Sequence, residues 1–291
     1  MTTRSALTAH NLVKTYGTAG VLTPALAGVS LSVGPGESLA VMGPSGSGKT
    51  TLLHCLAGVL GPTSGQVLWS GQDLTALSET ARTGLRRTDF GFVFQSGQLL
   101  PELPAEENAA LPLMLAGVAR AEATDIARRW LAYLGLAGME GRRPGELSGG
   151  QAQRVAIARA LVGSPGVVFA DEPTGALDQQ TGHEVLQVLT EATRATGAAL
   201  VVVTHDPQVA AWCSRTVHMR DGRIVADTAD GGAPAGQAAP PGVPHPGGVA
   251  TPPQAPPSNA PAGAPGSGEG PWSTQAAPSW TAPGSTPVVP R

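Results

Sequence analysis

Apolar and polar positions along this chain change period several times, and each change marks an element. Residues 9–14 and 29–33 alternate with period two, the pattern of strands in a small antiparallel sheet near the N-terminus. Ser38–Met42 is a short apolar run that predicts a buried strand, and 49–57 returns to helical spacing. Residues 66–70 followed by Gly71-Gln72 predict a strand and a turn, and Phe90–Phe94 a further strand. From about Ser96 to Glu146 the spacing is helical, with 108–115 and 121–134 as helices, and 153–162 is amphipathic. Buried strands at 167–170 and 200–204 flank a helix at 182–195, and 215–226 predict a hairpin turning at Asp221-Gly222. Strands alternating with helices, interrupted by a helical insertion, predict an α/β domain. No internal repeat is visible, so the chain carries one such unit.

Composition sets the limits of that unit. The last 61 residues, 231–291, hold sixteen of the 27 prolines and only Glu269 and Arg291 as charged side chains. Such a segment buries too little apolar surface to offset its ordering entropy, so we expect a domain over 1–230 and a disordered Pro/Ala/Gly-rich tail over 231–291. A spacer or polyproline ligand anchored by Trp272 and Trp280 is the alternative to a dispensable tail. A net charge of −3 gives no basic field for nucleic acid, and none is expected as a partner. The apolar runs fall far short of the roughly 20 residues that cross a bilayer, and the first residues lead into no signal-like segment. The expectation is a cytoplasmic protein that meets a membrane only through a partner. Cys55 and Cys213 suggest neither a disulfide framework nor a zinc site.

Chemistry concentrates in three short stretches. Gly43-Pro44-Ser45-Gly46-Ser47-Gly48-Lys49-Thr50, with Thr51 behind it, matches the phosphate-loop pattern between a predicted strand and a predicted helix. Its backbone N–H groups and helix N-terminus suit phosphate, Lys49 the β- and γ-phosphates, and the Thr50 hydroxyl Mg²⁺. Positive charge is written as Arg sixteen times and as Lys twice, and Lys49 is one of those two. A compact ammonium fits between phosphate oxygens where a planar guanidinium matches poorly. The strand at 167–170 ends in Asp171-Glu172, which places two acids at the C-terminal edge of a parallel sheet. Asp171 is placed for Mg²⁺ and Glu172 for polarising an attacking water. Leu147-Ser148-Gly149-Gly150-Gln151 opens a helix that Ser148 can cap, leaving N–H groups for an anion. Two phosphate-binding helix ends in one chain make sense if each completes a site on another copy, arranged head to tail.

Together the phosphate loop, the acidic strand end and Leu147–Gln151, extended through Ala152-Gln153-Arg154-Val155-Ala156-Ile157-Ala158-Arg159-Ala160-Leu161, resemble the ATP-binding subunit of ABC transporters across nearly all of residues 7–228. The resemblance implies a RecA-like core of the P-loop NTPase class, a small antiparallel β subdomain and an α-helical signature subdomain at about 96–165. It implies ATP and Mg²⁺ as cofactors, ATP hydrolysis, a second ATPase subunit (a homodimer first) and a transmembrane permease that holds the subunit at the cytoplasmic face. It assigns Tyr16 to adenine, Gln95 to Mg²⁺ and the attacking water, and His205 to the γ-phosphate. Leu177 and Asp178 match a loop that signals between the two sites. Asp171–Asp178 with Gly175, the run Gln95 to Leu99-Leu100-Pro101, Glu107-Asn108 and Pro62-Thr63-Ser64-Gly65 are similar to lipoprotein-release, macrolide-export and cell-division ATPases. Export or extrusion is the first expectation, and an ATP-driven signalling subunit without solute transport is the alternative.

Overall fold

The computed structural model describes residues 7–17, 23–230 and 252–254. Two sheets form, and their strands follow from the two kinds of apolar pattern. The alternating segments make β1 (Leu7–Tyr16) and β2 (Thr23–Val33), which pair antiparallel. β4 (Ser64–Trp69) and a two-residue β5 (Gln72–Asp73) complete a sheet of order β2-β1-β4-β5. The apolar runs make the core strands β3 (Ser38–Met42), β6 (Phe90–Phe94), β7 (Val167–Asp171) and β8 (Ala199–Thr204), joined by the alternating β9 (Arg215–Arg220), all parallel to one another, with β10 (Arg223–Asp227) antiparallel at the edge. The order is β10-β9-β3-β8-β7-β6.

Strand parity sorts the side chains onto two faces of this core sheet. Val167, Phe169, Val201, Val203, Leu39 and Val41 pack with the phosphate-loop helix α1 (Lys49–Leu56) and the small sheet. Val93, Val168, Ala170, Leu200 and Val202 pack the other way, against α3 (Ala105–Leu115), α4 (Arg120–Tyr133), α5 (Gly149–Leu161) and α6 (Gln179–Thr196). Trp130, fully buried on α4, is the largest side chain of that second cluster. The register Phe94↔Asp171↔Val203 and Met42↔Thr204 lines up the C-terminal ends of the parallel strands, and the candidate residues follow those ends.

Several expected boundaries move. The turn expected at Gly71-Gln72 is at Ser70-Gly71, both with positive φ (53° and 79°), and Gln72 belongs to β5. α5 begins at Gly149, behind the expected Ser148 cap and four residues before its amphipathic stretch, and α6 begins at Gln179 rather than 182. Glycines and polar residues blur the apolar period there, whereas the caps Ser148 and Asp178 fix the true starts. α2 (Glu79–Thr88) was not expected at all, because none of its residues is fully buried. Ser78 caps it and Glu79 pairs with Arg82 and Arg86, so charge and cap carry the signal that hydrophobicity lacks. A last short helix, α7 (Pro207–Ala210), follows β8.

Cys55 and Cys213 are unpaired, and burial pushes their thiols up to about 11 and about 12. Among the described residues no helix is long and apolar enough to cross a membrane. The tail expected over 231–291 lies outside the described residues, 252–254 excepted.

Candidate functional site

The phosphate loop is built by close approach of three backbones. A Cβ on Gly43 would stand 2.3 Å from the Met219 carbonyl oxygen, and one on Gly48 2.2 Å from that of Ala25. Gly48 also caps α1 in a left-handed conformation at φ 97°. Any side chain at either place would push β9 or β2 away from the loop. The Gly222 N–H donates to the Ser47 carbonyl at 3.1 Å, and the Ala27 N–H donates to the Gly222 carbonyl at 2.9 Å. The hairpin turn Asp221-Gly222 therefore braces the loop, with φ 49° and 72° at its two residues. Lys49 is buried and donates to the Gly43 and Pro44 carbonyls at 2.8 and 3.0 Å.

Asp171, at the end of β7, accepts from the Thr50 hydroxyl at 3.3 Å. Burial pushes its carboxyl above the usual range, opposed by that hydrogen bond. A nearby cation would restore the ionised form. Glu172 follows with φ 47°, an uncommon conformation outside glycine, anchored by its N–H on the Val203 carbonyl at 2.9 Å. Its Oε1 meets His205 Nδ1 at 2.8 Å, and the Thr204 hydroxyl donates to Oε2 at 3.3 Å. The two residues after β7 and β8 thus form one carboxylate–imidazole pair. Glu172 is partly buried, whereas His205 is mostly exposed.

Gln95 lies beside this group rather than in it. Its side chain packs on Gly175, where an added Cβ would stand 2.8 Å from Nε2, and no hydrogen bond joins it to Thr50 or Asp171. Ser148 and Gln151 form a reciprocal capping box at the start of α5, with bonds of 3.3 and 2.9 Å. Gly149 and Gly150 are small for a packing reason. Added Cβ atoms would stand 3.0 Å from Leu177 and 2.5 Å from Thr181. The Leu147–Gln151 stretch therefore rests on the Leu177-Asp178 loop of the same chain. Asp178 caps α6 through Thr181, which holds its carboxyl below the usual range.

Tyr16 ends β1 opposite Thr23 with its ring exposed, and the adjoining stretch of β2 at Ala25 lies against Gly48 of the phosphate loop. Sequence reasoning passed over two further residues, both on α5. Gln153, buried, donates to the Phe94 carbonyl at 2.9 Å, and Arg159 donates to the Gly97 and Gln98 carbonyls at 2.6 and 2.8 Å. They tie the signature helix to the turn that carries Gln95. A buried polar position inside an otherwise apolar helix face was the available signal.

These residues fit a nucleotide and its metal. Gly46 leaves open space where a Cβ would point, and the buried Ser47 hydroxyl has no hydrogen-bond partner among the described residues. Lys49 adds an ammonium to this cradle of N–H groups. The Thr50 hydroxyl and Asp171 carboxylate are hard oxygen donors of the kind Mg²⁺ takes. No group of three His, Cys, Asp or Glu side chains forms a metal cage among the described residues.

The comparisons agree with this geometry. A profile of the family described as ABC transporter matches residues 26–175. The lipoprotein-releasing system ATP-binding protein LolD of Geobacter metallireducens is 47% identical over 223 residues, 77% of this chain and 99% of that protein. The dimeric, post-hydrolysis ATP-binding cassette MJ0796 bound to ADP and Pi is 38% identical, with a TM-score of 0.70, covering 76% of this chain and 97% of the other. The ADP conformation of the cassette MJ1267 is 28% identical, with a TM-score of 0.66, covering 77% and 90%.

Proposed function

This chain belongs to the ABC transporter family, and from that membership we propose that it is the ATP-hydrolysing subunit of a lipoprotein-release type transporter, working as a head-to-tail pair beneath a separate permease. One observation carries the pairing. The core sheet separates the phosphate-loop helix α1 from the signature helix α5, which pack on its opposite faces. A signature so placed serves the nucleotide of a second copy, and the dimeric state of the relative supports a pair.

Within each site, Gly43 to Thr51 wrap the phosphates and Lys49 holds the β- and γ-oxygens. Thr50 and Asp171 would hold Mg²⁺, with Gln95 on the turn after β6 as a further oxygen donor, and the ion would supply positive charge to the phosphates. Glu172 takes the proton of the attacking water, and the His205 ring orients that carboxylate before reaching toward the γ-phosphate. Tyr16 stacks on the base. Leu147 to Gln151 present the α5 N-terminus to the partner's nucleotide. Leu177, packed against Gly149, and Asp178 beside it carry the state of one site to the other.

A permease needs a surface, and a cleft of about 540 Å³ between β6, α2, α3 and α5 offers one. Phe90, Phe92, Leu111, Pro112 and Leu115 line it, with Gln98 beside the Gln95 turn. A partner seated there holds the subunit peripherally at the cytoplasmic face of the membrane. The lipoprotein-releasing relative favours transport over the signalling alternative.

Glu172→Gln tests the pairing. With Mg²⁺ and ATP it accumulates as a dimer in size-exclusion with light scattering, and without nucleotide it is a monomer. A variant that binds ATP yet stays monomeric overturns the head-to-tail reading.

A further inference from the structure

The chain's only other lysine stands in β1, two residues before Tyr16. Side chains at i and i+2 of a strand share a face. Lys14 uses that geometry in two directions at once. Its Nζ lies 5.5 Å from the Tyr16 ring centroid, within cation–π range, and donates to the Gly61 carbonyl at 2.7 Å. Gly61 belongs to the loop leaving the C-terminal end of α1, the helix whose N-terminus is the phosphate loop. The same loop is stitched to β1 twice more, by the Thr63 N–H on the Val13 carbonyl at 2.7 Å and the Thr15 N–H on the Thr63 hydroxyl at 3.1 Å. No ion pair joins Lys14 to a carboxylate among the described residues.

We propose that Lys14 is a positioning residue for the nucleotide base, bridging the Tyr16 ring and the Gly61 carbonyl so that the stacking platform is fixed to the phosphate-binding helix. The inference rests on the reading that Tyr16 stacks on the base. An ammonium held over one face of the ring leaves the other for a purine and restrains a side chain that is 46% exposed. Without it the ring samples more rotamers, and base binding carries the cost of ordering it. The role belongs to binding rather than to chemistry, because Lys14 touches nothing in the Asp171–Glu172–His205 group.

Equilibrium binding by the full-length chain with Mg²⁺ tests this, using ATP and, as a ligand without a base, inorganic tripolyphosphate. Lys14→Met weakens ATP by about five-fold, leaves tripolyphosphate unchanged and lowers KM-side affinity without changing kcat. Lys14→Arg, which keeps a cation for ring and carbonyl, restores ATP affinity to within about two-fold. Tyr16→Leu weakens ATP by at least as much, and adding Lys14→Met to it costs nothing further. If Lys14→Met weakens both ligands equally, the lysine supports the fold of the phosphate loop and the proposal is overturned. If Tyr16→Leu weakens ATP while Lys14→Met does not, the lysine role fails and the stacking reading stands. If Tyr16→Leu has no effect on ATP, the stacking reading fails and takes the lysine role with it.

Discussion

Lys49 joins sequence pattern to chemistry most directly, since its ammonium is buried and its hydrogen bonds go to carbonyls of the loop itself. Replacing it with Ala removes a charge-assisted contact worth roughly 1.5–3 kcal/mol, or about 10- to 100-fold in ATP affinity. Lys49→Ala is therefore expected to abolish turnover and to weaken ATP in a binding titration; normal hydrolysis by this variant would contradict the loop assignment. The phosphate-loop residues were legible because backbone wrapping, a cation and a hydroxyl at fixed spacing leave few other uses for that pattern. Gly43 and Gly48 were legible as glycines but not for their full reason. Their neighbours Met219 and Ala25 are remote in sequence, and only the folded chain brings those carbonyls within contact.

Among elements, the β9–β10 hairpin does more than close the sheet. Arg215 on β9 binds Asp227 on β10, Glu37 before β3 and the Ser32 carbonyl on β2. The turn between those strands braces the phosphate loop at Ser47. The Arg215 guanidinium holds the Asp227 carboxyl below its usual range. A depressed carboxylate contributes stability fully above its unfolded value, about pH 4, and loses it as pH falls through the folded value. Asp227→Asn should thus lower the thermal midpoint at pH 7, with the gap from the parent narrowing below about pH 4. A constant gap across that range would show that the ion pair is not the cause. The α5 helix has a comparable double role. Its first turn is the signature, and Gln153 and Arg159 further along hold the 94–98 turn. Periodicity revealed the helix, but what its buried polar residues hold depends on a strand some sixty residues earlier.

For the whole molecule, α1 with the small sheet on one face of the core sheet and the α3–α6 helices on the other support the proposal that a single chain carries two half-sites, each completed by another copy. We propose that the ATPase unit ends near Asp230, because the lipoprotein-releasing relative is matched over 99% of its length by 223 residues of this chain. Truncation after Asp230 is expected to leave the thermal midpoint and the ATPase rate nearly unchanged. A drop of several degrees, or a large loss of rate, would show that residues beyond 230 contribute to the domain.

By itself the sequence determined that strands and helices alternate and singled out the residues proposed here for nucleotide chemistry, since phosphate-binding patterns and apolar periodicity are local and written in consecutive residues. It left α2 unread, because Ala81 and Leu85 are its apolar side chains, too few to show a period along the chain. Only the tertiary structure decided which side of the sheet each helix covers, that Glu172 meets His205, and that Gly222 reaches Ser47, Gln153 reaches Phe94 and Lys14 reaches Gly61. Those contacts join residues tens to more than a hundred positions apart. The strand order that brings them together is a property of packing, not of any stretch of sequence read alone.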